Sequence, residues 1–172
     1  MQSALKARGI TLIRDSAVGV KATEVVLASG ARLACDVPLI AIGAQAPPWL
    51  ENSGLALDAN GFIAVDACQR STSHPNVFAA GDVSSRQDRT LARSGVYAVR
   101  AGPALSHNLA AVVAGRKLKT HQPPSRSLNL LSCGDGKAIA TYGAWAAKGS
   151  WVWWWKNAVD RKFAARYAEQ AG

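Results

Sequence analysis

The 172 residues carry a formal net charge of +9 and 49% hydrophobic content, enough for a real core in one domain or a little more. No apolar run approaches the roughly 18 residues of a membrane-crossing helix, and residues 1–14 lack the apolar core of a signal peptide, so a cytoplasmic protein is expected. Cys35, Cys68 and Cys133 lie far apart with no Cys-x-x-Cys pair, which argues against a disulfide framework, a zinc site and a local redox dithiol.

Residues 9–13 and 17–20 read as strands. Residues 24–28 and 31–36 form a hairpin about Ser29-Gly30, completing an antiparallel meander. The nearly continuous apolar run of residues 37–43 has buried-strand character and ends at Gly43. Turn formers fill residues 49–61, and residues 61–66 form another strand. His74-Pro75-Asn76 then turns the chain into residues 77–80, a strand running into Gly81-Asp82. A polar, basic loop follows at residues 86–93. From about Gly95 to Ala114 the apolar positions keep helical spacing, Pro103 predicts a kink or restart, and Gly115 a stop. After a basic linker containing Pro123-Pro124, strands at 128–131 and 137–142 flank the turn at 132–136. A helix from about Ser150 to Glu169 closes the chain.

Val77-Phe78-Ala79-Ala80-Gly81-Asp82-Val83 is the most informative stretch. A buried strand that ends in Gly-Asp delivers a carboxylate and backbone N–H groups to the strand's carboxyl end, where open α/β sheets bind nucleotides. Gly81 permits close approach, and Asp82 can accept hydrogen bonds from a ribose- or ribityl-type hydroxyl. Taken alone, the same residues also suit a strand followed by an Asp helix cap.

The order of these features resembles the C-terminal part of the FAD-dependent pyridine nucleotide-disulfide oxidoreductase superfamily. Ala41-Ile42-Gly43-Ala44 is similar to the end of its inserted NAD(P)H domain, and residues 74–83 to its second FAD motif. Within the superfamily the chain resembles type II NADH dehydrogenase-like flavoproteins, the kind found fused to selenide, water dikinase. Gly95-Val96-Tyr97-Ala98-Val99-Arg100, residues 128–135, residues 151–156 and residues 160–163 carry that likeness. The resemblance implies an α/β fold: the C-terminal portion of a Rossmann-like FAD/NAD(P)-binding fold of three-layer ββα architecture. A small α+β region with a terminal amphipathic helix follows. Residues 1–46 would close the NAD(P)H-binding domain, 47–116 the FAD-binding domain, and 117–172 would supply the hairpin and Trp-rich helix. It further implies that Gly81, Asp82 and Val83 contact FAD, with Asp82 at its ribityl or pyrophosphate end. Gly95 and Val96 would face the flavin's pyrimidine edge, where a helix N-terminus favours negative charge. Ala41 and Gly43 would lie beside the nicotinamide nucleotide. The implied activity is hydride transfer from NAD(P)H to FAD, then electron transfer to a quinone-like or other acceptor. The flavin performs that chemistry, so no side chain is assigned as acid, base or nucleophile.

No Gly-x-Gly-x-x-Gly occurs, so both N-terminal dinucleotide fingerprints of the superfamily are missing. The chain therefore looks like a C-terminal fragment that binds FAD weakly or not at all alone and needs an N-terminal half, or a fused selenide, water dikinase domain, as partner. The alternative is a non-catalytic module that serves as an interaction, membrane- or RNA-binding piece.

Charge is uneven: residues 1–85 hold 6 basic and 7 acidic side chains, residues 86–172 hold 14 and 4. On the terminal helix Trp151, Trp155, Val159 and Phe163 recur every fourth position among Lys156, Arg161 and Arg166. That pattern suits packing on the chain's own domain, a dimer face, or an interfacial helix placing residues 150–167 on the inner face of a membrane. No nucleic-acid motif is present. His74, His107 and His121 have neither metal nor triad spacing.

Overall fold

A computed structural model describes residues 2–168 and divides the chain into two units, Met1–Gly43 and Ala44–Gly172. In the first, a short helix α1 (Gln2–Lys6) precedes the meander β1 (Ala17–Val20), β2 (Glu24–Leu27) and β3 (Arg32–Ala34). Both pairings are antiparallel, and Gly30 supplies the positive φ of +86° that the hairpin turn requires. Arg32 grips Glu24 through two hydrogen bonds of 2.9 and 2.6 Å. With Lys21 also beside it, Glu24 is held at a pKa of about 2.

Two expected strands of this unit do not form. Residues 9–13 have no strand partner among the described residues, and Ile10, Leu12 and Ile13 are exposed. Residues 37–43 are likewise irregular, with Leu39 91% exposed. Apolar β-branched sequence supplies propensity, but a buried parallel strand exists only where neighbouring strands take up its N–H and C=O groups.

The second unit is built on β4 (Ile63–Val65), buried throughout, which pairs in parallel with β5 (Ser84–Arg86). Leu50, from the 3-10 turn Pro48–Asn52, packs with Ile63, Val65 and Ala79, and Leu55, Leu57 and Val83 close over them. The expected strand at 77–80 does not form. Phe78 makes a single bridge to Arg70, Gly81–Val83 form a 3-10 turn, and the paired strand follows Gly-Asp instead of preceding it. Gly81 has φ +72°, which no regular ladder accommodates; Ser84, Ser85 and Arg86 carry no strand signature yet find the open edge of β4.

Helix α2 (Gly95–Val113) runs through Pro103 without a break. It ends in a Schellman motif: Arg116 N–H donates to the Ala111 carbonyl at 2.7 Å and Gly115 N–H to that of Val112 at 3.1 Å, with Gly115 at φ +63°. Completely buried Asn108 ties this helix to two loops. Its Nδ2 donates to the carbonyls of Cys68 (2.8 Å) and Lys119 (2.9 Å), and its Oδ1 accepts the Lys119 N–H at 2.7 Å.

The last element is an antiparallel sheet, β6 (Leu128–Ser132), β7 (Ala138–Tyr142) and β8 (Trp145–Gly149), with α3 (Ser150–Ala168) against it. Two of these strands match the sequence expectation. The third, rich in Ala, Lys and Gly, is fixed by the free edge of β7 rather than by its own composition. Val152 of α3 is buried on Ala138 and Ala140, whereas residues 158–166 are all exposed. Glu169, the expected helix end, lies outside the described residues.

Candidate functional site

A cleft of about 260 Å³ opens where β5, the Gly81–Val83 turn and the start of α2 meet. Its wall on the helix side is made of Ser94, Tyr97, Ala98 and Ala101. A Cβ built on Gly81 would lie 3.3 Å from the Ala98 Cβ, so glycine here answers both to its backbone angle and to a close approach. Ser94 stands at the N-cap in extended conformation, but its hydroxyl makes no capping hydrogen bond. The first amides of α2 therefore keep their donors, and the helix dipole adds partial positive charge.

Three arginines line the cleft, and their partners differ. Arg86, its side chain 4% exposed, holds Asp88 through two hydrogen bonds of 2.7 and 2.8 Å and donates to the His121 carbonyl at 3.2 Å. Arg89 shares the same carboxylate. The Arg86 hydrogen bonds, supported by Arg89, keep Asp88 at a pKa of about 2 against the upward pull of burial. Arg93 stacks 3.5 Å above the Phe62 ring, donates to the Asp82 carbonyl at 3.3 Å and lies 3.8 Å from Asp58. Burial pushes the Asp58 carboxyl up, but hydrogen bonds from Ser85 and the amides of Phe62 and Asn60, with Arg93 nearby, hold it below its ordinary value. Burial and then the charges of Arg86 and Arg89 depress the pKa of His121, which also lines the cleft.

Two polar atoms in the wall have no hydrogen-bond partner although both are fully buried: Ser94 Oγ and Gln69 Oε1. A polar cleft with a glycine that a Cβ would fill, free helix amides and orphaned buried oxygens fits a hydroxyl-rich, anionic ligand such as FAD.

The site residues expected from sequence are placed as follows. Gly81 and Asp82 line the cleft; the Asp82 side chain is exposed at its edge, beside the start of α2. Gly95 and Val96 form the first turn of α2, next to the lining residues Ser94, Tyr97 and Ala98. Val83 turns its side chain into the core. Ala41 and Gly43 belong to the other unit. Gln69, Arg86, Arg93, Ser94 and His121 also line the cleft, beyond the residues expected from sequence. Arg86 and Arg93 bound the segment read as a basic loop, a signal that could have been followed; Gln69 carries none. Among the described residues no group of three His, Cys, Asp or Glu side chains could hold a metal.

Such a cleft, with a glycine turn against a helix N-terminus, is that of a dinucleotide-binding α/β protein. The profile of the pyridine nucleotide-disulphide oxidoreductase family matches residues 1–108, and the chain belongs to that family, whose cofactors are FAD and NAD(P)H. Over 63 residues it is 48% identical to apoptosis-inducing factor 3 of Mus musculus, a match covering 36% of this chain and 10% of that protein. Over 49 residues it is 43% identical to ferredoxin–NADP reductase 1 of Shouchella clausii, covering 28% and 14%. Among solved structures, the sulfide:quinone oxidoreductase of Aquifex aeolicus superposes with a TM-score of 0.77 at 15% identity, over 96% of this chain and 43% of that one. The NAD-dependent persulfide reductase of A. fulgidus gives 0.59 at 20% identity, over 83% and 27%. These likenesses show the fold; the chain spans less than half the length of each of these four proteins.

Proposed function

We propose that this chain carries the FAD-facing segment of a flavoprotein oxidoreductase that moves a hydride from NAD(P)H to FAD and passes the electrons to a quinone-like or other acceptor. Its layering would be that of the Rossmann-like FAD/NAD(P)-binding fold. Within the family the type II NADH dehydrogenase-like branch, the kind found fused to selenide, water dikinase, is favoured by residues 95–100 and 151–156. The observation that carries the reading is the cleft where Gly81 abuts α2, with orphaned buried oxygens in its wall.

Bound there, FAD supplies the hydride-accepting chemistry. Gly81 lets the backbone approach it, and the Asp82 carboxylate accepts hydrogen bonds at the ribityl or pyrophosphate end. The amides of Gly95 and Val96 face the pyrimidine edge, while Val83 contributes backbone alone. Ala41 and Gly43 belong to the nicotinamide side. Arg93 adds a fixed positive charge at the start of α2, held by Phe62 and Asp58. Helix α3, with Trp151, Trp154 and Trp155 exposed, is the surface proposed to meet a membrane.

The test joins this chain to a Gly-rich nucleotide-binding half taken from a family member, and records flavin absorbance and NAD(P)H-dependent reduction of a soluble quinone. Retained flavin with acceptor reduction supports the reading. A colourless folded protein would sink it.

A further inference from the structure

Gln69 is the least expected residue of the cleft. It has φ +66°, the only positive φ among the described non-glycine residues, and it is 3% exposed. Its Nε2 donates to the Ala101 carbonyl at 3.3 Å. That partner is an acceptor, so the side-chain amide has one consistent orientation, and Oε1 must be the atom left without a donor. Left-handed backbone is strained for a residue with a Cβ, and a buried carbonyl oxygen without a donor is destabilising. Both penalties fall on one residue, beside a cleft.

We infer that Gln69 is a ligand-binding residue whose Oε1 accepts a hydrogen bond from a hydroxyl of the cofactor's ribityl chain. The inference rests on the FAD reading above and adds a contact to it. Along α2 the order is Gly95 and Val96 at the pyrimidine edge, then Ala98 against Gly81, then Ala101 against Gln69. Ala101 lies about 4.5 Å beyond Ala98 along the helix axis. A chain of three hydroxyls leaving the flavin past Gly81 and Asp82 extends over that distance. The groups that a hydroxyl offers and Gln69 lacks are the same: an O–H donor for an unpaired carbonyl oxygen. A phosphate at this point would bring only acceptors and leave Oε1 orphaned, so the partner is a polyol and not the pyrophosphate. The neighbouring Arg86 is already engaged by Asp88 and His121, and so does not compete for Oε1.

The experiment uses the joined protein described above, with FAD and three analogues each lacking one ribityl hydroxyl, and measures dissociation constants by flavin fluorescence. One analogue is expected to bind about tenfold more weakly than FAD, the effect of one hydrogen bond to a buried acceptor. In Gln69→Leu, FAD itself weakens by a similar factor and that same analogue binds as FAD does. Gln69→Met, which keeps the side chain's length and lacks Oε1, takes the place of Gln69→Leu should that variant misfold, and either variant separates this contact from one made by Asp82 to the same chain. If all analogues bind like FAD, or if Gln69→Leu keeps the full discrimination, the Gln69 contact is wrong while the cofactor reading survives. If neither FAD nor any analogue binds, both fall.

Discussion

At Gly81 the backbone angle and the neighbour make the same demand. With φ +72° and Ala98 at 3.3 Å from a would-be Cβ, Gly81→Ala is expected to lose on the order of 1–2 kcal/mol of stability, read from urea unfolding. Unchanged stability would show that the turn relaxes away from α2. Asp88 makes a second demand, set by charge. Its pKa is lowered from 3.8 to about 2 in the folded chain, so its contribution is complete above pH 4. That contribution disappears as the pH falls through 2, because the unfolded carboxyl takes up its proton first. Asp88→Asn leaves the nearly buried Arg86 guanidinium without its carboxylate, and a loss on the order of 3 kcal/mol at pH 7 is expected. The variant's unfolding free energy should also vary less than the parent's between pH 4 and 2. Parallel pH profiles would contradict the assignment. His121 works with the same sign in a higher pH range. Its folded pKa lies below 6.5, so stability is full above that value and declines as the pH falls below it. His121→Gln should flatten that decline in melting temperature measured from pH 7 to 5.

Asn108 shows how one element organises the cleft from behind. By engaging Cys68, Lys119 and the Lys119 amide at once, it fixes both the turn that presents Gln69 and the segment that presents His121. Asn108→Leu leaves three backbone groups unmet, and about 3 kcal/mol of stability should be lost. Earlier tryptic cleavage at Lys117 or Lys119 should accompany it; an unaltered digestion pattern would mean that the segment is held otherwise. Elements whose cause is local were legible in the sequence. Helix α2 announces itself by apolar spacing and by Gly115, the β2–β3 hairpin by Ser29-Gly30, and α3 by its start at Ser150. Elements whose cause is pairing were not. Residues 37–43 look like a strand and have no partner among the described residues, while Ser84–Arg86 do not look like one and pair with β4. The site divides in the same way. Gly81 and Asp82 stand in a recognisable motif, whereas Gln69 and Arg93 gain their meaning from residues 32 and 31 positions away, Ala101 and Phe62 respectively.

At the scale of the whole chain, charge and aromatic surface gather on one side of the sequence. No Asp or Glu occurs from residue 89 to residue 134, and the C-terminal helix brings Lys156, Arg161, Lys162 and Arg166 against a single described carboxylate, Asp160, already paired with Lys156. No helix among the described residues is long and apolar enough to cross a membrane. Trp151 is 56% exposed and stacks on Trp155 with ring centroids 6.4 Å apart, while Val152 alone of that turn is fully buried on the sheet. Val152 and the half-buried Trp153 dock the helix on the sheet and leave Trp151 and Trp154 open, which is the distribution an interfacial helix needs: indole rings at headgroup depth and cations beside them. Each surface cation contributes about 1 kcal/mol toward an anionic leaflet, and the attraction weakens as salt shortens the Debye length. The chain is therefore expected to bind phosphatidylserine-containing vesicles more tightly than neutral ones, with a blue shift of tryptophan emission that high salt reduces. Trp151→Ser together with Trp154→Ser should weaken binding about tenfold, since two interfacial indoles are lost, and should leave the unfolding midpoint nearly unchanged because the two residues are 56% and 64% exposed. A concentration-dependent dimer that the same substitutions abolish, with no vesicle binding, would assign the face to a second copy of the chain and remove the membrane from the proposed function.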